Sequence, residues 1–342
     1  MHGHGTIPRP RLWLRDGIDP PSTHHPLSHP TMQYQPTTDD TYDELPLAIS
    51  HRGRWQRSYE TQRRPRPAAG PESPQAEVED DFQITYRASH AEALMLRTAL
   101  SPFFRDRILT DVLAPVKGGK EATVYCCQAH PSTGLDLIAA KIYRPRAHRS
   151  LSNDAPYREG REMLDDQGKG IRDARRHRAI AKKTRFGKEV EIGSWIEHEY
   201  ATLKLLFEAG ADVPKPIARV DAAILMAYLG ELHRPAPNLH GISLPRALAR
   251  PIFERLLAHV ELMLAHNRVH ADLSAYNILY WQGQATIIDF PQAVFALSNR
   301  NAYAFLLRDL TRLCQHFERY GLHAQAEDLA QDLWQQFQLA QL

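Results

Sequence analysis

Long hydrophobic runs are missing from this 342-residue chain. None approaches the ~18 residues of a membrane-spanning helix, and no positively charged start leads into an apolar stretch at the N-terminus, so neither a membrane span nor a secretory signal is expected. Cysteine is scarce. Cys126, Cys127 and Cys314 have neither metal-ligand spacing nor the even count of a disulfide framework, which argues against a disulfide-stapled fold and fits a reducing, cytoplasmic compartment. An excess of one charge is lacking too: 42 Lys and Arg face 40 Asp and Glu, so global charge selects no partner.

Apolar periodicity is absent from the first 80 or so residues, which hold 12 of the 24 prolines and cannot bury a face. Residues 1–83 are therefore expected to form a disordered Pro/His/Arg-rich tail, whose isolated histidines (His2, His4, His24, His25, His29) are read as solvated rather than metal-binding. From residue 84 the pattern becomes that of a folded domain. Ala91 to Leu100 have helical spacing up to a break expected at Pro102, and Ile108 to Val116 lead into strands.

The most informative stretch runs from His270 to Asp289. Asp272 and Asn277 stand five residues apart in a polar loop, the apolar Ile278-Leu279-Tyr280 follows, and after Gly283 a second strand, Thr286-Ile287-Ile288, ends on Asp289. Phosphoryl transfer needs such a convergence of oxygen atoms: a carboxylate to accept the proton of the attacking hydroxyl, and an amide oxygen and second carboxylate to hold a metal against the phosphates. His-x-Asp-x-x-x-x-Asn followed by a strand and Asp is the kinase pattern. A hairpin whose polar residues only shape its turns would be the bland alternative; three acceptors at this spacing argue against it.

Two further stretches fit that chemistry. Lys117 to Tyr125 read as a tight Gly turn entering a strand, with Gly118 and Gly119 letting backbone N–H groups approach phosphate, and Ile138 to Tyr143 return with Lys141 in an apolar context. A lysine in mid-strand needs a partner or water. Glu199, on a helix whose apolar side carries Trp195, Ile196, Leu203, Leu206 and Phe207, is the expected partner, with Glu197 as runner-up; a solvent-facing edge-strand lysine is the alternative. Ile224 to Gly230 read as a buried strand running into a linker; in a kinase adenine would sit here, held by backbone groups around Ala227 to Leu229 beneath Met226. A core strand alone would look the same, and only the position between helix and loop favours the linker. Leu244 to His266 form an amphipathic helix with Leu248, Ile252, Leu256, Val260, Met263 and Leu264 on its apolar side.

Residues 144–190 form a polar insertion whose basic stretch, Lys169 to Lys188, is opposed by Asp173 alone; it is read either as a solvated helix and loop or as a contact surface for an RNA-bearing or acidic partner. No aromatic residue interleaves the arginines between Gly170 and Thr184, so base stacking is not indicated.

From about residue 85 to 322 the chain resembles the RIO family of atypical serine/threonine protein kinases. The resemblance is carried by Gly119-Lys-Glu-Ala-x-Val-Tyr125, Lys141, Val213-Pro-Lys-Pro216, Val269-His-Ala-Asp-Leu-Ser-x-Tyr-Asn-Ile-Leu279, Ile287-Ile-Asp-Phe-Pro-Gln292 and Arg308-Asp309. It implies an α+β, two-lobed protein-kinase-like fold, with an N-lobe of about 84–226 that includes the insertion, and a reduced C-lobe of about 230–342 lacking an activation segment and peptide-docking helices. It implies ATP with Mg2+, or Mn2+ in its place, and serine/threonine phosphorylation including autophosphorylation, or an ATPase switch. By position, Asp272 would be the base, Asn277 and Asp289 the metal ligands and Lys141 the phosphate lysine; Gly118, Gly119, Lys120, Glu121, Ala122 and Val124 would form the phosphate loop. Family members in archaea and eukaryotes are associated with small-subunit ribosome maturation, and some carry a phosphate on the metal-binding aspartate, the place of Asp289. Three departures stand out: Ala122 where a third loop glycine is usual in protein kinases, Ala271 in place of the arginine that reads a phosphorylated activation loop, and Pro291 after Asp289-Phe290. A small-molecule phosphotransferase and a non-catalytic nucleotide-dependent binding module are the rival readings.

Overall fold

A central strand, flanked on both sides by paired neighbours, places Lys141. The structure, a computed structural model, describes residues 83–119, 121–144, 155–165, 168–182 and 184–342. The expected disordered tail, apart from Gln83, and the phosphate-loop residue Lys120 lie outside the described residues. The described residues open with β1 (Gln83–Ile84), α1 (His90–Arg105), β2 (Leu109–Gly118), β3 (Ala122–Ala129) and β4 (Leu137–Tyr143). Then come α2 (Ala155–Arg158), α3 (Ala174–Ala181), α4 (Arg185–Glu208), β5 (Pro216–Val220) and β6 (Ala223–Ala227). These strands form one six-stranded sheet in the order β1-β2-β3-β4-β6-β5. Lys141 pairs with Val124 on one side and Ile224 on the other, so it sits between two neighbours and not on an edge.

The helix α1 starts at Ser89, whose hydroxyl accepts the Glu92 N–H at 3.3 Å. It does not break at Pro102 but runs on to Arg105. A proline this close to the C-terminal end forfeits one helical hydrogen bond, and the next residue, Phe103, is fully buried against the sheet with Leu96 and Leu100. Helix α4 is capped by Thr184, which accepts the Gly187 N–H at 3.0 Å. A Cβ at Gly187 would lie 2.1 Å from the Ala179 carbonyl oxygen, so only glycine lets the start of α4 approach α3 this closely. Ile196, Leu203 and Leu206 of α4 are buried as expected, whereas Phe207 is 38% exposed because it lies past the edge of the buried stripe.

Beyond the sheet follow β7 (Gly230–Glu231), β8 (Arg234–Pro235), α5 (Arg246–Ala265), β9 (Arg268–Val269), β10 (Ile278–Trp281), β11 (Gln284–Ile287), β12 (Val294–Phe295), α6 (Ala302–Glu318) and α7 (Ala326–Gln338). Ile252, Leu256, Val260, Met263 and Leu264 of α5 are buried in the second core with Leu306, Leu310 and Leu313 of α6. Leu248 departs from the expected stripe and is 40% exposed: it lies in the first turn of α5, short of the buried segment that begins at Ala249. Strands β10 and β11 form an antiparallel hairpin with Ile278 opposite Ile287. Its turn, Gln282-Gly283, has φ of 48° and 85°, the left-handed pair that suits the twist of a two-residue hairpin. Among the described residues no helix is long and apolar enough to cross a membrane.

Candidate active site

The hairpin, the central strand and α4 converge on one cation. Lys141 Nζ lies 2.6 Å from Glu199 Oε1 and 2.5 Å from Asp289 Oδ1. Burial alone would lower the lysine's pKa, but the charges of Asp289 and Glu199 outweigh it and hold the ammonium well above its usual value. Burial lifts the Glu199 carboxyl to about 7 against the opposing field of Lys141. Asp289 remains on the low side of the ordinary carboxylate range, because Lys141 overcomes the effect of burial there. Glu197, the runner-up partner, instead engages Arg219 at 2.7 Å.

The loop before the hairpin is fixed from behind by α6. Asp309, 2% exposed, accepts the Ala271 N–H at 2.7 Å and the Leu273 N–H at 3.0 Å, and Arg308 donates to the Ala271 carbonyl. These contacts over-determine a backbone with Ala271 at φ 62°; Asp289, likewise left-handed, has φ 73°. Non-glycine residues in this region store strain of roughly 1–3 kcal/mol each. His270 Nδ1 accepts the Asp272 N–H at 3.3 Å, so its Nε2–H donates to the Ile288 carbonyl at 3.2 Å. Burial keeps His270 neutral by lowering its pKa, which that tautomer requires. The Ile288 N–H donates to the Asn277 carbonyl at 2.9 Å, tying the loop to the residue before Asp289.

Burial pushes the Asp309 carboxyl up to about 7, despite the two N–H groups it accepts. An unfolded Asp titrates at about 4, so between pH 4 and 7 the folded chain holds a proton that the unfolded chain has released. Its contribution to stability is complete below about pH 4 and is lost as pH rises through 7. Thermal melts across this window are expected to show a smaller fall with rising pH in Asp309→Asn than in the wild type; parallel curves would remove Asp309 as a source of the slope.

Asn277 Nδ2 donates to the Asp272 carbonyl at 2.9 Å and lies 3.3 Å from Asp272 Oδ2, an arrangement that directs the amide oxygen away from the loop. Asp272 Oδ1 accepts from Arg312 Nη1 at 2.9 Å. A cleft of about 560 Å3 opens beside this pair, lined among others by His240, Asp272, Tyr276, Arg312, Gln315 and His316.

The remaining expected residues fall on the sheet side. Gly118 ends β2; Gly119 donates its N–H to the Ala122 carbonyl at 2.9 Å, and the Glu121 carbonyl accepts the Arg144 N–H at 2.9 Å, so the turn closes on itself. Ala122 opens β3, and Val124 stands opposite Lys141. In the linker, Met226 and Ala227 end β6; the Ala227 N–H is given to the Lys215 carbonyl and the Leu229 carbonyl takes the Ala236 N–H. The Ala227 N–H is thereby taken, whereas the Leu229 carbonyl keeps a second lone pair.

Two arginines that sequence reasoning passed over reach the site. Arg161, in the insertion, donates to the carbonyls of Pro291 at 2.9 Å and Ala293 at 2.6 Å, bracing the segment after Asp289. Around it Tyr157 stacks on Phe305, with centroids 4.8 Å apart, and Asn299 donates to the Pro156 and Glu159 carbonyls. The described start of the insertion is thus packed on the chain, whereas Arg172, Arg175, Arg178, Lys182, Arg185 and Lys188 are exposed. No local signal announces Arg161. For Arg312 one existed: it lies three and four residues after Asp309 and Arg308, on the same helix face.

A model of the RIO domain matches residues 155–330, just over half of the chain. The RIO-type serine/threonine-protein kinase Rio1 of Thermoplasma acidophilum is 29% identical over 147 residues, covering 43% of this chain and 76% of that protein. Its counterpart of the same name in Haloferax volcanii is 28% identical over 215 residues, covering 63% of this chain and 66% of that protein. The human serine/threonine-protein kinase RIO1 is 29% identical over 217 residues, which are 63% of this chain but 34% of the human protein.

Proposed function

Because this chain belongs to the RIO domain family, we propose that it transfers the γ-phosphoryl group of ATP to serine or threonine hydroxyls, its own included. The observation that carries this reading is Lys141, held 2.6 Å from Glu199 and 2.5 Å from Asp289 in a site that also contains Asp272 and Asn277. The domain division proposed with it is a sheet-bearing part of about 84–226, including the insertion 144–190, and a helical part of about 230–342.

ATP and a divalent metal serve this family, and the donor set suits a hard cation: the Asn277 amide oxygen and an Asp289 carboxylate half open to solvent offer oxygen ligands, as Mg2+ prefers beside phosphates. Mg2+, or Mn2+ in its place, would be held by these two residues and would neutralise charge on the phosphates. Lys141 pairs with the phosphate oxygens, Glu199 keeping it charged and oriented. Asp272 takes the proton of the attacking hydroxyl as the new O–P bond forms and the bond to the ADP oxygen breaks. Asp289→Asn is expected to weaken metal-dependent nucleotide binding about tenfold or more, the usual range for disturbing a metal's ligand environment; an ATP affinity with an unchanged response to Mg2+ would count against the ligand role.

The exposed basic residues between 169 and 188 favour an RNA-containing or ribosomal partner in this reading. The three unpaired buried cysteines fit a cytoplasmic setting. The deciding experiment incubates the protein with γ-labelled ATP and Mg2+, beside Asp272→Asn, and tests any label for acid and hydroxylamine stability. Acid-stable label lost in the variant supports the kinase. Hydroxylamine-labile label would point to an ATPase switch with a phosphoaspartate, and nucleotide binding without label or phosphate release to a binding module.

A further inference from the structure

The cleft beside Asp272 has a composition that the nucleotide chemistry leaves unused. None of Lys141, Glu199 and Asp289 lines it, yet Asp272 and Asn277 do, and the Asn277 carbonyl accepts the N–H of Ile288, the residue before Asp289. Its one acidic lining residue is Asp272, already paired with Arg312. Arg312 gives that carboxylate a bond from Nη1, leaving the other donors of a five-donor guanidinium for a second anion. The side chains of Arg312 and Asp272 are 41% and 47% exposed, so an incoming carboxylate can reach the pair without breaking the core. His240 and Tyr276, also in the lining, form an aromatic wall, stacked with centroids 4.0 Å apart and joined by a 2.8 Å hydrogen bond between the Tyr276 hydroxyl and His240 Nε2. Burial, aided by the fields of Arg319 and His240, lowers His316 to about 4, so Arg312 supplies the fixed positive charge.

We propose that this cleft is the acceptor site, and that it takes a polypeptide segment carrying an acidic side chain beside the phosphorylated serine or threonine. The inference rests on the phosphoryl-transfer reading above. The acidic side chain pairs with Arg312, the peptide backbone lies along the His240–Tyr276 wall, and the acceptor hydroxyl is brought to Asp272. Its oxygen attacks the γ-phosphorus, its proton passes to Asp272, and ADP leaves with the electron pair of the broken P–O bond. This arrangement holds an acceptor next to the base without a separate peptide-docking subdomain, and it makes Arg312 a specificity residue.

The test uses the full chain, γ-labelled ATP and three serine peptides identical except for Asp, Gln or Lys flanking the serine, and reads kcat/KM ratios. The wild type is expected to favour the Asp peptide over the Gln peptide by about tenfold, the worth of one hydrogen bond between charged groups, and over the Lys peptide by more. Arg312→Gln is expected to bring the Asp/Gln ratio near one, and Arg312→Glu to reverse the Asp/Lys preference. A purely structural Arg312 would lower all three rates together. The exposed Gln315→Glu, on the surface of α6, is expected to narrow the ratio without touching the Asp272 pair. Equal rates on the three peptides, or an acidic preference that survives both Arg312 variants, would overturn the acceptor site while leaving phosphoryl transfer standing. So would autophosphorylation with label on no peptide, or faster transfer to a small phosphorylated alcohol such as glycerol 3-phosphate. Absence of transfer to any hydroxyl would overturn the kinase reading itself.

Discussion

Replacing Asp272 by Asn is expected to lower turnover by roughly 10²–10⁴-fold, the usual effect of removing a positioned base, with ATP binding close to the wild type. The substitution keeps the shape of the loop: an amide can still accept from Arg312 Nη1 at the Oδ1 position. The backbone around it is held by Asp309 through the N–H groups of Ala271 and Leu273, not by the Asp272 side chain. What is lost is the basic carboxylate and the long 3.3 Å contact from Asn277 Nδ2 to Oδ2, while the 2.9 Å bond from that amide to the Asp272 carbonyl stays. Single-turnover rates with saturating ATP isolate this step, and full activity would remove Asp272 from the mechanism. A loss that appears in ATP affinity instead would place Asp272 in nucleotide binding.

Lys141→Met is expected to reduce both stability and turnover. It leaves Glu199, whose side chain is 4% exposed, beside Asp289 with no cation between them. Breaking such a buried pair costs about 3–5 kcal/mol; the lower end is expected, because Glu199 already titrates near 7 and escapes by taking a proton. For a folded region of this size, a loss of about 3 kcal/mol corresponds to a fall in Tm of roughly 6–12 °C. The fall is expected to be greater at pH 8 than at pH 6, since the proton that Glu199 needs is harder to obtain at the higher pH. Lys141→Met combined with Glu199→Leu is expected to recover much of the stability, as an apolar pair replaces the ionic one. It recovers none of the turnover, which falls by about 10²–10³-fold once a charge aimed at the transition state is gone. A single variant with wild-type Tm and activity would show that the cation is neither structural nor catalytic.

The parts of the fold that follow local rules were legible in advance. The β10–β11 hairpin is fixed by its apolar alternation and by Gly283, and the buried stretch of α5 by 3.6-residue periodicity from Ile252 to Leu264. Where local rules and packing competed, packing prevailed: Phe103 draws α1 past Pro102, while Leu248 and Phe207 stay outside the buried stripes of otherwise amphipathic helices. The choice of Glu199 over Glu197 turned on helix phase, since residues two apart face different directions on α4 and meet different partners, Lys141 and Arg219.

The sequence by itself singled out the residues proposed to carry the chemistry. Lys141, Asp272, Asn277 and Asp289 stand out by residue type and spacing, because the oxygen ligands and phosphate-binding cation proposed for them would leave a short-range pattern in a loop, a hairpin and a strand. The tertiary structure alone decided what surrounds that chemistry: that Arg161 braces the carbonyls of Pro291 and Ala293 from 130 and 132 residues away, that Asp309 carries the strained loop, and that Arg312 bonds Asp272 at the lip of a cleft. These contacts join residues distant in the chain. Their partners are selected by helix phase and core packing, and neither leaves a mark at the spacing of a few residues where a sequence can be read.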